Sequence, residues 1–133
     1  MIGLDTNVIV RYLAQDDPKQ SGAATRLIES LSAEKPGLVT SVVLAETTWV
    51  MDESYSATRE EIAEIVQRLL QTGALMVQDA EQAWQALARY RTGTADFADY
   101  LIERTCAALG SEATYTFNRK AARKNDCAMT LVS

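Results

Sequence analysis

The sequence predicts an α/β domain built on a central parallel sheet of four or five strands, and three observations carry that prediction. Short apolar runs alternate with longer stretches of helical periodicity, the pattern of successive βα units. Helix start and stop signals fall at the junctions between them. At 133 residues and 47% hydrophobic content, the chain is long enough for one compact domain, 1–133, and too short for two.

The elements follow in order. The first apolar run covers 2–4 and ends at Asp5, and a helix continues through Val8, Ile9, Tyr12 and Leu13. Asp17-Pro18 reads as an N-cap with proline in the first helical position, opening a second helix with Ala24, Leu27, Ile28 and Leu31 at helical spacing. After Pro36-Gly37 a second strand at 38–40 leads to Ser41, which can cap a helix to about Ser54. Thr58 and Glu61 form a capping box ahead of Ile62, Ile65, Val66, Leu69 and Leu70, and Gly73 stops that helix. A third strand at 74–77 precedes a helix at 80–90, which Gly93-Thr94 breaks. A helix at 95–109 ends at Gly110, a fourth strand lies at 113–116, and 129–132 supplies a short fifth. No internal repeat, low-complexity segment or linker interrupts the series.

Composition narrows the chemistry. No run approaches the roughly 18 apolar residues of a membrane span, and Met1-Ile2-Gly3-Leu4-Asp5 lacks the basic and apolar regions of a signal peptide, so a soluble cytoplasmic protein without membrane attachment is expected. Cys106 and Cys127 fit no metal or redox spacing and read as reduced, partly buried thiols. The sequence has no histidine, which removes the commonest general base and zinc ligand, so acid/base or metal chemistry must run on Asp and Glu. Oxygen-only ligation points to Mg²⁺ or Mn²⁺. A net charge of −5 argues against a passive nucleic-acid binder, whereas a nuclease can be acidic because its metal-binding carboxylates contribute several of those charges.

In open parallel sheets ligands bind outside the carboxyl ends of the strands, which directs attention to Asp5-Thr6-Asn7, Thr40-Ser41 and Thr116-Phe117-Asn118. Asp5 could equally cap the first helix. Glu46 has Val42, Val43, Trp49 and Val50 as its helical neighbours, which places a carboxylate within an apolar stripe. Facing a core, it would demand a metal or a partner, and no Lys or Arg lies within one turn; at the edge of the stripe it would swing out to solvent. Asp96 and Asp99 share one face at a helix start, where Asp96 could be the N-cap and Asp99 its box partner; Asp99 lies one turn before Ile102, on the side expected to face inward. Four acids on an apolar inner surface would repel one another, and a divalent cation relieves that while favouring phosphodiester hydrolysis. Asp5, Glu46 and Asp99 are therefore expected around one pocket.

The pattern resembles the PIN-domain ribonucleases and, within them, the VapC toxins of bacterial toxin-antitoxin pairs. The resemblance spans nearly the whole chain and rests on Leu4-Asp5-Thr6-Asn7-Val8, Leu44-Ala45-Glu46, Asp96-Phe97-Ala98-Asp99-Tyr100-Leu101-Ile102, and the run 114–122 from Thr114-Tyr115-Thr116-Phe117-Asn118 through Arg119-Lys120-Ala121-Ala122. It implies a three-layer α/β/α fold around the parallel sheet and an Mg²⁺-dependent endoribonuclease. It assigns Asp5, Glu46 and Asp99 as acidic metal ligands with Asp96 beside them, and Thr6 and Thr116 as hydrogen-bonding supports. The fourth acid of the family usually follows Thr-Phe; here Asn118 stands there, one negative charge short. The resemblance further implies a homodimer, an RNA substrate such as a tRNA or rRNA loop, and a cognate antitoxin whose C-terminal segment blocks the site. Arg119, Lys120, Arg123 and Lys124 form a basic cluster that could meet an RNA phosphate backbone or could be a solvated helix face.

Other doubly wound domains fit less well. A phospho-acceptor receiver wants an acidic pair after the first strand, where only Asp5 stands, and an Asp-nucleophile phosphatase wants a second Asp at the position of Asn7. The substantial rival is a catalytically weak PIN-like module that binds RNA or protein, consistent with Asn118 and the negative charge.

Overall fold

The computed structural model describes residues 1–122 and 126–133. The chain divides into two compact units, Met1–Gln78 and Asp79–Ser133.

The first unit runs β1 (Ile2–Gly3), α1 (Thr6–Ala14), α2 (Pro18–Glu29), β2 (Gly37–Val39), α3 (Ser41–Tyr55), α4 (Arg59–Gln71) and β3 (Leu75–Val77). The strands form a parallel sheet in the order β1-β2-β3, with Ile2 opposite Gly37 and Gly37 opposite Leu75. The ladder continues past the strand ends, where the Leu4 N–H donates to the Leu38 carbonyl at 3.0 Å. Gly37 begins the middle strand for a steric reason: a Cβ there would lie 2.7 Å from Leu31 Cδ1 and 2.8 Å from Leu4 Cδ1. The core is Leu4, Ile9, Val39, Leu44 and Val66 with their neighbours on α1 to α4, and α1 packs against both α2 and α3.

Local chemistry fixes the helix starts. Asp17 accepts from the N–H groups of Lys19 and Gln20 with Pro18 in the first helical position. Thr58 and Glu61 make the reciprocal capping box. Thr40, rather than Ser41, caps α3, its hydroxyl accepting from the Val43 N–H at 3.2 Å. The polar residue one position earlier wins because it still has the extended backbone a cap requires.

The second unit comprises α5 (Ala80–Thr92), α6 (Phe97–Ala108), β4 (Tyr115–Thr116) and β5 (Thr130–Leu131). Helices α5 and α6 pack together around Tyr90, which meets Phe97 and Tyr100 edge-on at centroid separations of 6.0 and 6.3 Å. Buried Glu103 lies between Arg89 at 3.1 Å and Arg104 at 2.6 Å. The β4–β5 pair is parallel, with Tyr115 opposite Thr130.

Three expectations change. Among the described residues, the sheet expected to hold four or five strands is a parallel sheet of three, and β4 pairs with β5 in a separate two-stranded sheet. The stripe around Glu46 does not face the core as a whole: Val42 and Trp49 are 66% and 63% exposed and Glu46 is itself exposed, and of the stripe only Val43 is buried, beside Leu44, Thr47, Thr48 and Met51. Apolar residues ring this helix on nearly every side, so periodicity could not tell the inner face from the outer. Ile102 is likewise 52% exposed, since α6 turns Phe97, Tyr100, Leu101 and Glu103 inward. No helix among the described residues is long and apolar enough to cross a membrane.

Candidate active site

The end of β1 turns directly into α1, and that junction positions the first acid. Asp5 takes the extended backbone of an N-cap, and its Oδ1 accepts from the Thr6 N–H at 2.7 Å. Thr6, 8% exposed, points its hydroxyl the other way and donates from Oγ1 to Glu46 Oε1 at 3.3 Å, across 40 residues of sequence. One buried threonine thus ties the exposed carboxylates of Asp5 and Glu46 to the same spot.

Both carboxylates line a cleft of about 610 Å³ between α1 and α3. Neither forms an ion pair among the described residues. Along α3 the wall continues one and two turns beyond Glu46, through Val50 and Ser54 to Tyr55.

The cleft also contains a cation that the sequence did not single out. Arg11, two turns along α1, contacts both oxygens of Asp16 at 3.1 Å and donates to the Tyr55 hydroxyl at 3.1 Å, while its Nε donates to Gln20. Tyr55 in turn donates to Asp16 Oδ2 at 2.7 Å. The Tyr55 hydrogen bond, reinforced by Arg11, holds the Asp16 carboxyl below its usual range, while Asp16 raises the pKa of both Arg11 and Tyr55. The available signal was that Arg11 is the only Lys or Arg in the first 18 residues; the partnership with Tyr55 is tertiary and leaves no local trace.

In the second unit, Asp96 is the N-cap of α6 and Asp99 reaches back to accept from the Asp96 N–H at 3.1 Å. Half-burial pushes the Asp99 carboxyl above its usual range; the Asp96 N–H opposes that shift, and the Asp96 charge adds to it. Buried Cys127 feels Asp99 as well: burial first, then the charges of Asp99, Glu103 and Asp126, push its thiol up to about 12. Thr116 and Asn118 organise the exit from β4. The Asn118 N–H donates to Thr116 Oγ1 at 2.9 Å, and the Lys120 N–H donates to Asn118 Oδ1 at 3.0 Å. Arg119 and Lys120 are exposed, while Arg123 and Lys124 lie outside the described residues.

The structure therefore brings Asp5, Thr6 and Glu46 together in the first unit, and Asp96 with Asp99 and Thr116 with Asn118 in the second. Among the described residues no group of three or more Asp, Glu or Cys side chains is gathered as a metal site. The chemistry of the Asp5–Glu46 pair fits a hard divalent cation: two carboxylates without a bound Lys or Arg among the described residues, on one open cleft, with the Thr6 hydroxyl bonded to one of them.

Compared with known families, residues 2–126 match the model described as PIN domain. No curated protein and no solved structure matches the chain.

Proposed function

The chain belongs to the PIN-domain family, whose members are generally metal-dependent nucleases, and from that premise we propose that it is an Mg²⁺- or Mn²⁺-dependent endoribonuclease with 1–133 as a single PIN domain. The observation that supports this best is the shared cleft of Asp5 and Glu46, linked through Thr6. Asp5, Glu46 and Asp99 are the proposed acidic ligands, with Asp96 as a further one and Thr6, Thr116 and Asn118 in support. These side chains would hold a divalent cation, which when bound would supply Lewis-acid charge for phosphodiester hydrolysis.

The chain's own residues do the positioning. Thr6 limits the rotation of Glu46 by donating to one of its carboxylate oxygens, and Glu46 lines the cleft. The first N–H of α1 orients Asp5. Arg11, held by Asp16 and Tyr55, sets a guanidinium already paired with the Asp16 carboxylate on the wall of this acidic cleft. Asn118 keeps its Oδ1 engaged by the Lys120 N–H, so the missing fourth acid is replaced by a group already committed to the turn.

The VapC resemblance extends the proposal to a cytoplasmic toxin, acting as a homodimer on RNA and neutralised by a cognate antitoxin, with Arg119, Lys120 and Arg123 as phosphate contacts. The direct experiment is cleavage of structured RNA by the purified protein with Mg²⁺ or Mn²⁺, with and without EDTA, alongside Asp5→Asn and Glu46→Gln. EDTA-sensitive cleavage lost in both variants supports the reading; RNA binding without metal-dependent cleavage would replace it with the binding-module alternative. Growth arrest on induced expression, relieved by a co-expressed partner encoded beside it, tests the toxin role.

A further inference from the structure

Resting on that ribonuclease reading, we propose that Tyr115 and Phe117, with Arg119 and Lys120, form a platform that binds an unpaired stretch of RNA by stacking bases on the two rings. Tyr115 is 67% exposed and Phe117 80% exposed, two residues apart along β4 and its exit. Tyr115 lies in β4 and Phe117 in the bend just past it; Thr130, paired with Tyr115, and Val132, whose N–H donates to the Thr116 carbonyl, are also exposed. Both rings, two residues apart, are thus uncovered, and two neighbouring rings held in water mark a binding surface.

Charge identifies the occupant. In a chain of net charge −5, the rings are followed directly by two exposed cations, and neither Arg119 nor Lys120 forms an ion pair among the described residues. The hydrogen bonds from Asn118 N–H to Thr116 and from Lys120 N–H to Asn118 hold the backbone between rings and cations in one turn. A nucleic-acid strand brings both complements, π-faces for the rings and phosphates for the cations. Stacking requires bases free of a duplex, so the ligand class is single-stranded or looped RNA.

The experiment is fluorescence anisotropy in EDTA, where no cleavage occurs, with a labelled RNA of about 12 nucleotides and mixed sequence, as a single strand and annealed to its complement. The full chain is expected to prefer the single strand. Tyr115→Ala with Phe117→Ala should weaken single-strand binding by tenfold or more, roughly the loss of one stacked base, while Tyr115→Phe with Phe117→Tyr should keep it. Arg119→Gln with Lys120→Gln should flatten the salt dependence, by about 0.7 in log–log slope per lost phosphate contact. Circular dichroism and melting curves identify any variant that fails to fold, and the aromatic-retaining pair then carries the test. Equal binding by a folded double-alanine variant, or equal affinity for strand and duplex, would overturn the platform. A change of oligomeric state with unaltered RNA binding would also overturn it and make the face a protein interface. Binding that follows these variants while the parent cuts no RNA under Mg²⁺ would sink the nuclease reading alone; metal-dependent cleavage with binding indifferent to them would sink only the platform.

Discussion

Thr6→Val separates orientation of the cleft acids from their mere presence. The change keeps a β-branched side chain of nearly the same volume at a site that is 8% exposed, and it leaves the backbone N–H that serves Asp5. It removes one interaction, the 3.3 Å hydrogen bond to Glu46 Oε1. That bond is long and its acceptor is exposed, so about 1 kcal/mol is the scale of its loss. For a domain of this size that corresponds to a drop of about 4 °C or less in Tm in EDTA. The metal response should change more. At a free Mn²⁺ concentration a hundredfold above its dissociation constant, the parent gains about 2.7 kcal/mol, and a tenfold weaker site gains only about 1.4 kcal/mol. Thermal melts in EDTA and across a Mn²⁺ titration measure both quantities, with Thr6→Ser expected to restore the parent's response and Glu46→Gln to lose most of it. If Thr6→Val tracks the parent throughout while Glu46→Gln does not, Thr6 does not orient Glu46. If neither variant alters the response, the cleft is not the cation site.

Three further outcomes are expected. Asn118→Asp should raise Mg²⁺-dependent cleavage in an RNA assay by restoring the missing charge, and it should not melt lower, because a carboxylate oxygen can accept from the Lys120 N–H as the amide oxygen does. Asp5→Ala should cost about 1 kcal/mol in denaturant unfolding through the lost cap, while Asp5→Asn keeps an acceptor and should stay close to the parent, although both abolish cleavage. At alkaline pH stability should fall: Cys127 and Tyr100 are each pushed up to about 12 in the fold, from 9.0 and 10.0, so above pH 9 the unfolded chain releases protons that the folded chain keeps. Melts from pH 8 to 11 should show Cys127→Ala flattening that decline, and a parent whose stability stays flat would refute the thiol's contribution.

The junctions were the most legible part of the fold. Asp17-Pro18 and the Thr58/Glu61 box act within three or four residues, and the structure has both where the spacing put them. The alternation of strands and helices was equally readable, because it depends on the period of apolar residues. Sheet membership was not: strands of two or three residues carry too little pattern to specify a partner, so nothing in 113–116 distinguished pairing with β5 from joining the larger sheet. Glu46 is the instructive case. The argument from a buried carboxylate fails, since Glu46 is exposed; its interest comes from the hydrogen bond to Thr6 and the cleft shared with Asp5, both tertiary. The partnership of Arg11 with Tyr55 left no local trace for the same reason.

That exposure also redistributes the cost of the acids. Carboxylates at Asp5 and Glu46 face solvent, where water and salt screen their repulsion, so neutralising either should do little for stability without metal. Asp99 differs, because it is half-buried with Asp96 as a neighbour, and its carboxyl is pushed up in the fold. A raised carboxyl pKa means that the unfolded chain ionises first as pH rises, so the fold loses stability through the interval above 3.8 and carries that penalty at neutral pH. Asp99→Asn removes the charge and keeps an oxygen for the Asp96 N–H. In EDTA its stability relative to the parent should therefore grow from pH 4 to pH 7, by less than about 1 kcal/mol given the partial exposure. Denaturant unfolding at both pH values measures it. A difference that does not change with pH, or that favours the parent at pH 7, would mean that Asp99 is settled by its helix cap and carries no charge penalty for a cation to relieve.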